Sequence, residues 1–319
     1  MNLNPRTRCP YKLKPLDELE KVNAEHVIHK SLGCPRSYTV EADEATNSEF
    51  GRTVDANFLT GLTLAIHRTQ HGIESYSGVA KLKLTGTTVH GNHPVGLTIP
   101  HKGPIEVHFT KPFIPSSDGM GGLLIAGADW EEKSKQLIKN FARKGKTLIA
   151  GTRETLATTE VHVRAEMDFT HLRVGLMKIG YLAAFEFLGD PFLDDPQNAE
   201  WQKGIRATEA GQLEEVRIQG AFHDDKRVLD MVVPELQSHQ HAVVVMRMEQ
   251  MGPPMVCVRL FGSPHLSMIA KLSETQDFGM GRIQGKLVVC DSRSKTISVS
   301  AWEDHMLKRC GLDPSKIHF

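Results

Sequence analysis

Residues 24 to 33 read AEHVIHKSLG. Glu25 stands directly before His26, a second histidine follows at His29, and the segment ends in Gly33. A neutral imidazole, with a reference pKa of about 6.5, can take a proton from water near pH 7. A carboxylate beside it can offer oxygen to a hard cation. Glu25-His26 could therefore be the working end of a metal-dependent hydrolase. It could equally be an ordinary strand end, because neighbours on a regular strand point to opposite faces. The two residues share one site only if the strand becomes irregular there. With 16 histidines in the chain, a single Glu-His pair carries little by itself.

The flanking text says how such a pair would be positioned. VNAEHVIHK reads as a short strand, and GCPRSYTVEAD as a turn and a second strand. A helix starts near Asp43 or Thr46, since Thr46 and Glu49 have capping-box spacing. Val54, Phe58, Leu62 and Ile66 give that helix an apolar stripe, and Gly72 stops it. From Ser77 to Phe113 the residues alternate apolar and polar between Pro and Gly, as in a β-meander. The helix DWEEKSKQLIKNFARKGK follows, then strands near TLIAG and EVHVRAEMDF. Thr170 to Leu188 is the most apolar helix, and DDPQNAEWQKGIRAT a shorter one. HAVVVMRMEQM, PPMVCVRLFG and IQGKLVVCDSR are strands, and SAWEDHMLKRCG is a closing helix. The fold class expected is α+β: residues 1–72 as a ββα unit docked on a larger mixed region, 73–319, with antiparallel strands.

Hydrophobic residues make up 40% and charged residues 24%, the balance of an ordinary soluble protein. Lys+Arg and Asp+Glu both number 38, which neither favours nor excludes nucleic acid. The start, MNLNPRTRCPYKLKP, does not read as a signal peptide. The run from Leu172 is interrupted by Arg173, Lys178 and Glu186, so no membrane span is expected. Five scattered cysteines point to a reducing compartment, and the expected location is cytoplasmic. No G-x-G-x-x-G or Walker pattern marks a nucleotide site.

EHVIHKSLG and the later NSEFGRTVD resemble the HNH endonucleases, the ββα-metal finger family, whose members read EHVIPKSLGG and then C-x-x-C-N-x-x-x-G. The likeness covers roughly residues 9 to 60. It implies that His26 is the general base, Glu25 the acidic metal ligand and Asn47 the ligand on the helix. One Mg²⁺ or Mn²⁺ would then stabilise charge on the phosphoryl and leaving oxygens. Many relatives also hold a structural zinc through two C-x-x-C pairs. Here those positions are Cys9 and Lys12, then Asp43 and Thr46, so no structural zinc is expected. That zinc is worth about 10–16 kcal/mol in small fingers. Its loss implies that the stripe from Val54 to Ile66 packs against the rest of the chain. His29 stands where relatives carry proline, and Cys34 where they carry a second glycine. His29 could assist with metal or phosphate.

Three further features have two readings each. Lys135, Lys139, Arg143 and Lys146 line one side of their helix, opposite Trp130, Leu137, Ile138 and Phe141. They form a phosphate-contacting face or a solvated one. His90 and His93 in HGNHP are metal donors or, the reading favoured, part of a hairpin turn. Lys178 in its apolar helix is a snorkelling residue or a partly buried functional one. The expected function is metal-dependent cleavage of nucleic acid, DNA before RNA, with residues 73–319 contacting substrate or regulating. The alternative is a degenerate module that binds nucleic acid or a protein and cuts nothing.

Overall fold

The computed structural model describes residues 3–75, 78–89, 92–111, 113–114, 122–123, 125, 130–145, 160–165, 169–207, 218–220 and 226–316. Helices and antiparallel sheets combine in an α+β arrangement. By contacts the chain forms two compact units, Met1–Gly78 with Asp168–Phe319, and Val79–Met167. This departs from the expected split after residue 72. The reason is a shared core: residues of the N-terminal segment and of the C-terminal sheet pack on the same apolar helix.

In the first unit, strands β1 (Val22–His26) and β2 (Thr39–Asp43) form an antiparallel hairpin. Helices α1 (Glu44–Arg52), α2 (Val54–Thr60) and α3 (Leu62–Gln70) follow. The single helix expected here is broken at Thr53 and Gly61. Asp43, not Thr46, caps α1, its carboxylate accepting the Thr46 N–H at 2.9 Å. Because of the breaks the stripe is only partly buried. Phe58 is 2% exposed and Leu64 1%, whereas Leu62 and Ile66 are half-buried.

In the second unit, β3 (Leu82–Thr88), β4 (Pro94–Ile99), β5 (Glu106–Phe109) and β6 (Val161–Val163) form a sheet of order β6-β3-β4-β5. Leu84, Leu97 and Val107 lie in register on one face, and Lys83, Thr98 and Glu106 on the other. The Thr88 N–H donates to the His93 carbonyl and the His93 N–H to the Thr88 hydroxyl, so His93 lies at the β3–β4 turn; His90 and Gly91 lie outside the described residues. Helix α4 spans Trp130–Arg143. TLIAG also lies outside the described residues.

Returning to the first unit, α5 (Phe169–Leu188) is buried on every side from Val174 to Leu188. A helix apolar all round belongs inside. Helix α6 (Asn198–Gly204) packs on it. A six-stranded antiparallel sheet follows, built from β7 (Ile218–Gly220), β8 (Gln240–Met248), β9 (Met255–Arg259), β10 (Ser267–Lys271), β11 (Ile283–Asp291) and β12 (Thr296–Ala301), in the order β7-β10-β9-β8-β11-β12. Strand alternation splits its residues between two cores. Val243, Val245, Val256 and Val258 join α5, while Val244, Met246, Cys257 and Leu287 join Leu229 and Val232 of α7 (Lys226–Val232) and Trp302 of α8 (Trp302–Arg309). The closing helix is shorter than expected because Ser300 and Ala301 finish β12. Among the described residues no helix is long and apolar enough to cross a membrane.

Two close approaches fix α2 and the turn after β1. A Cβ on Gly175 of α5 would lie 2.1 Å from the Phe58 ring, so only glycine admits that ring. Gly33 has φ +90° and a Cβ there would lie 2.5 Å from the Ser292 Cβ. Next to it Cys34 is disulfide-bonded to Cys290 of β11, with a Cα–Cα distance of 5.9 Å. The cysteines therefore do not argue for a reducing compartment. Beside them His241, 0% exposed, accepts the Phe261 N–H on Nδ1 at 3.0 Å and donates from Nε2 to the Leu32 carbonyl at 2.9 Å.

Two predictions follow from these ties. Reduction should lower stability by about 2–4 kcal/mol, read as a lower Tm, while a Cys34→Ala/Cys290→Ala variant should ignore reductant. An unchanged Tm of the wild type on reduction would refute it. Burial pushes the His241 pKa down to about 4, below the unfolded value near 6.5. The unfolded chain then takes up the proton first. Stability should be full above pH 6.5 and decline as pH falls toward 4. Urea unfolding at pH 7.5 and pH 5 checks this, with a smaller decline expected in His241→Gln.

Candidate functional site

The hairpin and α1 carry three of the expected residues, but the register of β1 runs unbroken through Glu25 and His26, so their side chains leave opposite faces of the strand. Glu25 and His26 end β1, paired with Val40 and Thr39. Asn47 on α1 reaches back to β1 and donates from Nδ2 to Asn23 Oδ1 at 2.7 Å. The amide is thus held at Asn23, two residues before Glu25 along the strand.

Glu25 is not an open ligand. It is 5% exposed, its Oε1 accepts the Tyr11 hydroxyl at 3.0 Å, and Lys178 Nζ lies 2.6 Å from the same oxygen. Lys178 also donates to both oxygens of Asp55, at 2.8 and 2.7 Å. Its ammonium stands 5.5 Å from the Phe50 ring centroid, and the Tyr11 ring packs edge-on to that ring. Burial raises the Glu25 pKa, and the Lys178 charge opposes the rise. Burial likewise raises the Tyr11 hydroxyl well above its ordinary range, so it stays a donor. Lys178 is therefore a buried ion-pair partner and not a snorkelling residue.

His26 is half-buried, and its Nδ1 is buried with no hydrogen-bond partner. Burial, then the Lys30 and Arg36 charges, lower its pKa. The ring is neutral at pH 7, as a proton acceptor must be. His29 is pushed down to about 4 by burial. Its Nδ1 accepts the Ser31 N–H at 3.0 Å and caps the short turn Lys30–Leu32. The proton of the neutral ring then sits on Nε2, which suits a phosphate oxygen better than a metal. The His26 and His29 ring centroids are 6.4 Å apart.

Cys9, Lys12, Asp43 and Thr46 also meet. Asp43 N–H donates to Cys9 Sγ at 3.3 Å, Lys12 Nζ lies 4.0 Å from Asp43 Oδ2, and the Thr46 hydroxyl donates to that oxygen at 2.6 Å. Hydrogen bonds and an ion pair join these four residues. The Thr46 bonds hold the Asp43 carboxyl below its usual range.

A carboxylate and a carboxamide oxygen are the right donors for one hard divalent cation. Among the described residues no three His, Cys, Asp or Glu side chains are gathered for a metal. The resemblance would place such a cation on Glu25 and Asn47, but Glu25 Oε1 already faces Lys178 and the Tyr11 hydroxyl. On α4, Lys135, Lys139 and Arg143 are exposed, four residues or about 6 Å apart along the axis; Lys146 lies outside the described residues. Ile138, grouped with the apolar side above, is 50% exposed.

No family model, curated protein or solved structure matches the chain.

Asp55 and Tyr11 were not anticipated as site residues. The available signal was Lys178: a lone lysine in an apolar helix needs a carboxylate partner. Removing it should leave two carboxylates buried without their cation. Lys178→Ala should destabilise the fold by about 3–5 kcal/mol, read from urea unfolding. A cost below about 1 kcal/mol would mean that the cluster is wet and weak.

Proposed function

We propose that the chain is an HNH-type endonuclease that hydrolyses phosphodiester bonds of nucleic acid, DNA before RNA. The observation that carries the reading is His26: a neutral, half-exposed imidazole at the end of β1, directly after Glu25, with Asn47 tied to the same strand. His26 takes the proton of the attacking water. His29 Nε2–H offers a donor to a phosphate oxygen. Glu25 and Asn47 would hold one Mg²⁺ or Mn²⁺, which when bound supplies charge stabilisation at the phosphoryl and leaving oxygens. Lys135, Lys139 and Arg143 of α4 are available for backbone phosphates, without base readout.

One observation favours the second reading, a module that binds without cutting. Glu25 is already neutralised by Lys178, so the ligand shared with the metal is committed within the fold.

Supercoiled plasmid with Mg²⁺ or Mn²⁺ separates the two. The wild type should nick or linearise it, and His26→Ala should be slower by about a hundredfold or more. Equal cutting by both proteins would remove His26 as the base. Retained DNA binding without cutting by the wild type would establish the second reading.

A further inference from the structure

Three ionisable side chains from three elements meet inside the first unit: Glu25 of β1, Asp55 of α2 and Lys178 of α5. Their exposures are 5%, 6% and 4%. An ammonium has three hydrogens to donate. Here three carboxylate oxygens surround it, Glu25 Oε1 at 2.6 Å and Asp55 Oδ1 and Oδ2 at 2.8 and 2.7 Å. Two of these contacts are hydrogen bonds, to Asp55, and the third is an ion pair, to Glu25, so two carboxylates face one cation. The cluster has the charge pattern of a filled cation site whose cation is part of the chain.

We propose that Lys178 is a built-in cation that competes with the divalent ion for Glu25. It keeps the free protein from retaining a metal. The argument is electrostatic. A doubly charged ion on Glu25 would sit beside a fixed ammonium where little water screens them. The ammonium cannot easily leave, because Asp55 would then be buried without a partner. Removing it reverses the balance: the carboxylate of Glu25 then favours any cation that can replace the one lost. This inference rests on the assignment of Glu25 as the metal ligand, but its test uses no nucleic acid.

The probe is Mn²⁺ alone, titrated into the full chain and followed by loss of the free-ion electron paramagnetic resonance signal. Lys178→Met by itself leaves two buried carboxylates and can fail to fold. The informative protein is Lys178→Met/Asp55→Asn, which removes one carboxylate together with the ammonium. It should bind Mn²⁺ at least tenfold more tightly than the wild type. Adding Glu25→Gln should abolish the gain. Equal or weaker affinity in the double variant would overturn the proposal, and so would a gain that survives Glu25→Gln. Plasmid cutting by the wild type is read separately. A protein that fails to cut but shows the Glu25-dependent gain loses only the nuclease reading.

Discussion

The contact of Lys178 with Glu25 and Asp55 is the constraint on which the candidate site depends. Burying a charge is tolerable only when it is paired and hydrogen-bonded. Lys178 sits in the middle of a helix buried from Val174 to Leu188, so its partners must come to it. Glu25 arrives on β1 and Asp55 on α2. The same contact therefore aligns the strand carrying His26 with the helix that admits Phe58 at Gly175. Position and charge are set together. The cation that organises Glu25 is also the one that restricts what else Glu25 can hold.

The hairpin and the helices after it draw their stability from several sources, and the structure distributes them. Near the start of the chain, Cys9, Lys12, Asp43 and Thr46 are linked by hydrogen bonds and an ion pair. Each is a modest contribution, of order 1 kcal/mol for a neutral hydrogen bond. The larger share comes from burial of Phe50, Phe58 and Leu64 in the core that α5 shares with the sheet. The turn after β1 is tied to the sheet three times, through Gly33 against Ser292, the Cys34–Cys290 bond, and the Leu32 carbonyl on His241. That turn carries His29. The His26 and His29 ring centroids stand 6.4 Å apart across it.

Much of the local structure was legible in the sequence. The order strand, strand, helix from residue 22 to 52, the helix from Phe169 to Leu188 and the strands carrying HAVVV, MVCVR and KLVVC follow from apolar periodicity. The helix breaks at Thr53 and Gly61 did not, because a stripe spaced by four residues reads the same across a kink. Strand β10, SMIAK, is too short and too closely bounded by Pro264 and Lys271 to announce itself. Asp55 reads as a surface residue until its partner 123 positions away is known. The disulfide, spanning 256 positions, and His241 are products of tertiary packing and leave no local signature. The Glu25-His26 pair was visible as chemistry, but its burial depended on Lys178.

The coupling between Lys178 and Asp55 tests the central claim most directly. Urea stabilities of the wild type, Lys178→Met, Asp55→Asn and the double variant close a double-mutant cycle. A bidentate buried pair predicts a coupling of at least about 1.5 kcal/mol. Additivity within about 0.5 kcal/mol would contradict the account, since the ammonium would then not hold the two carboxylates together.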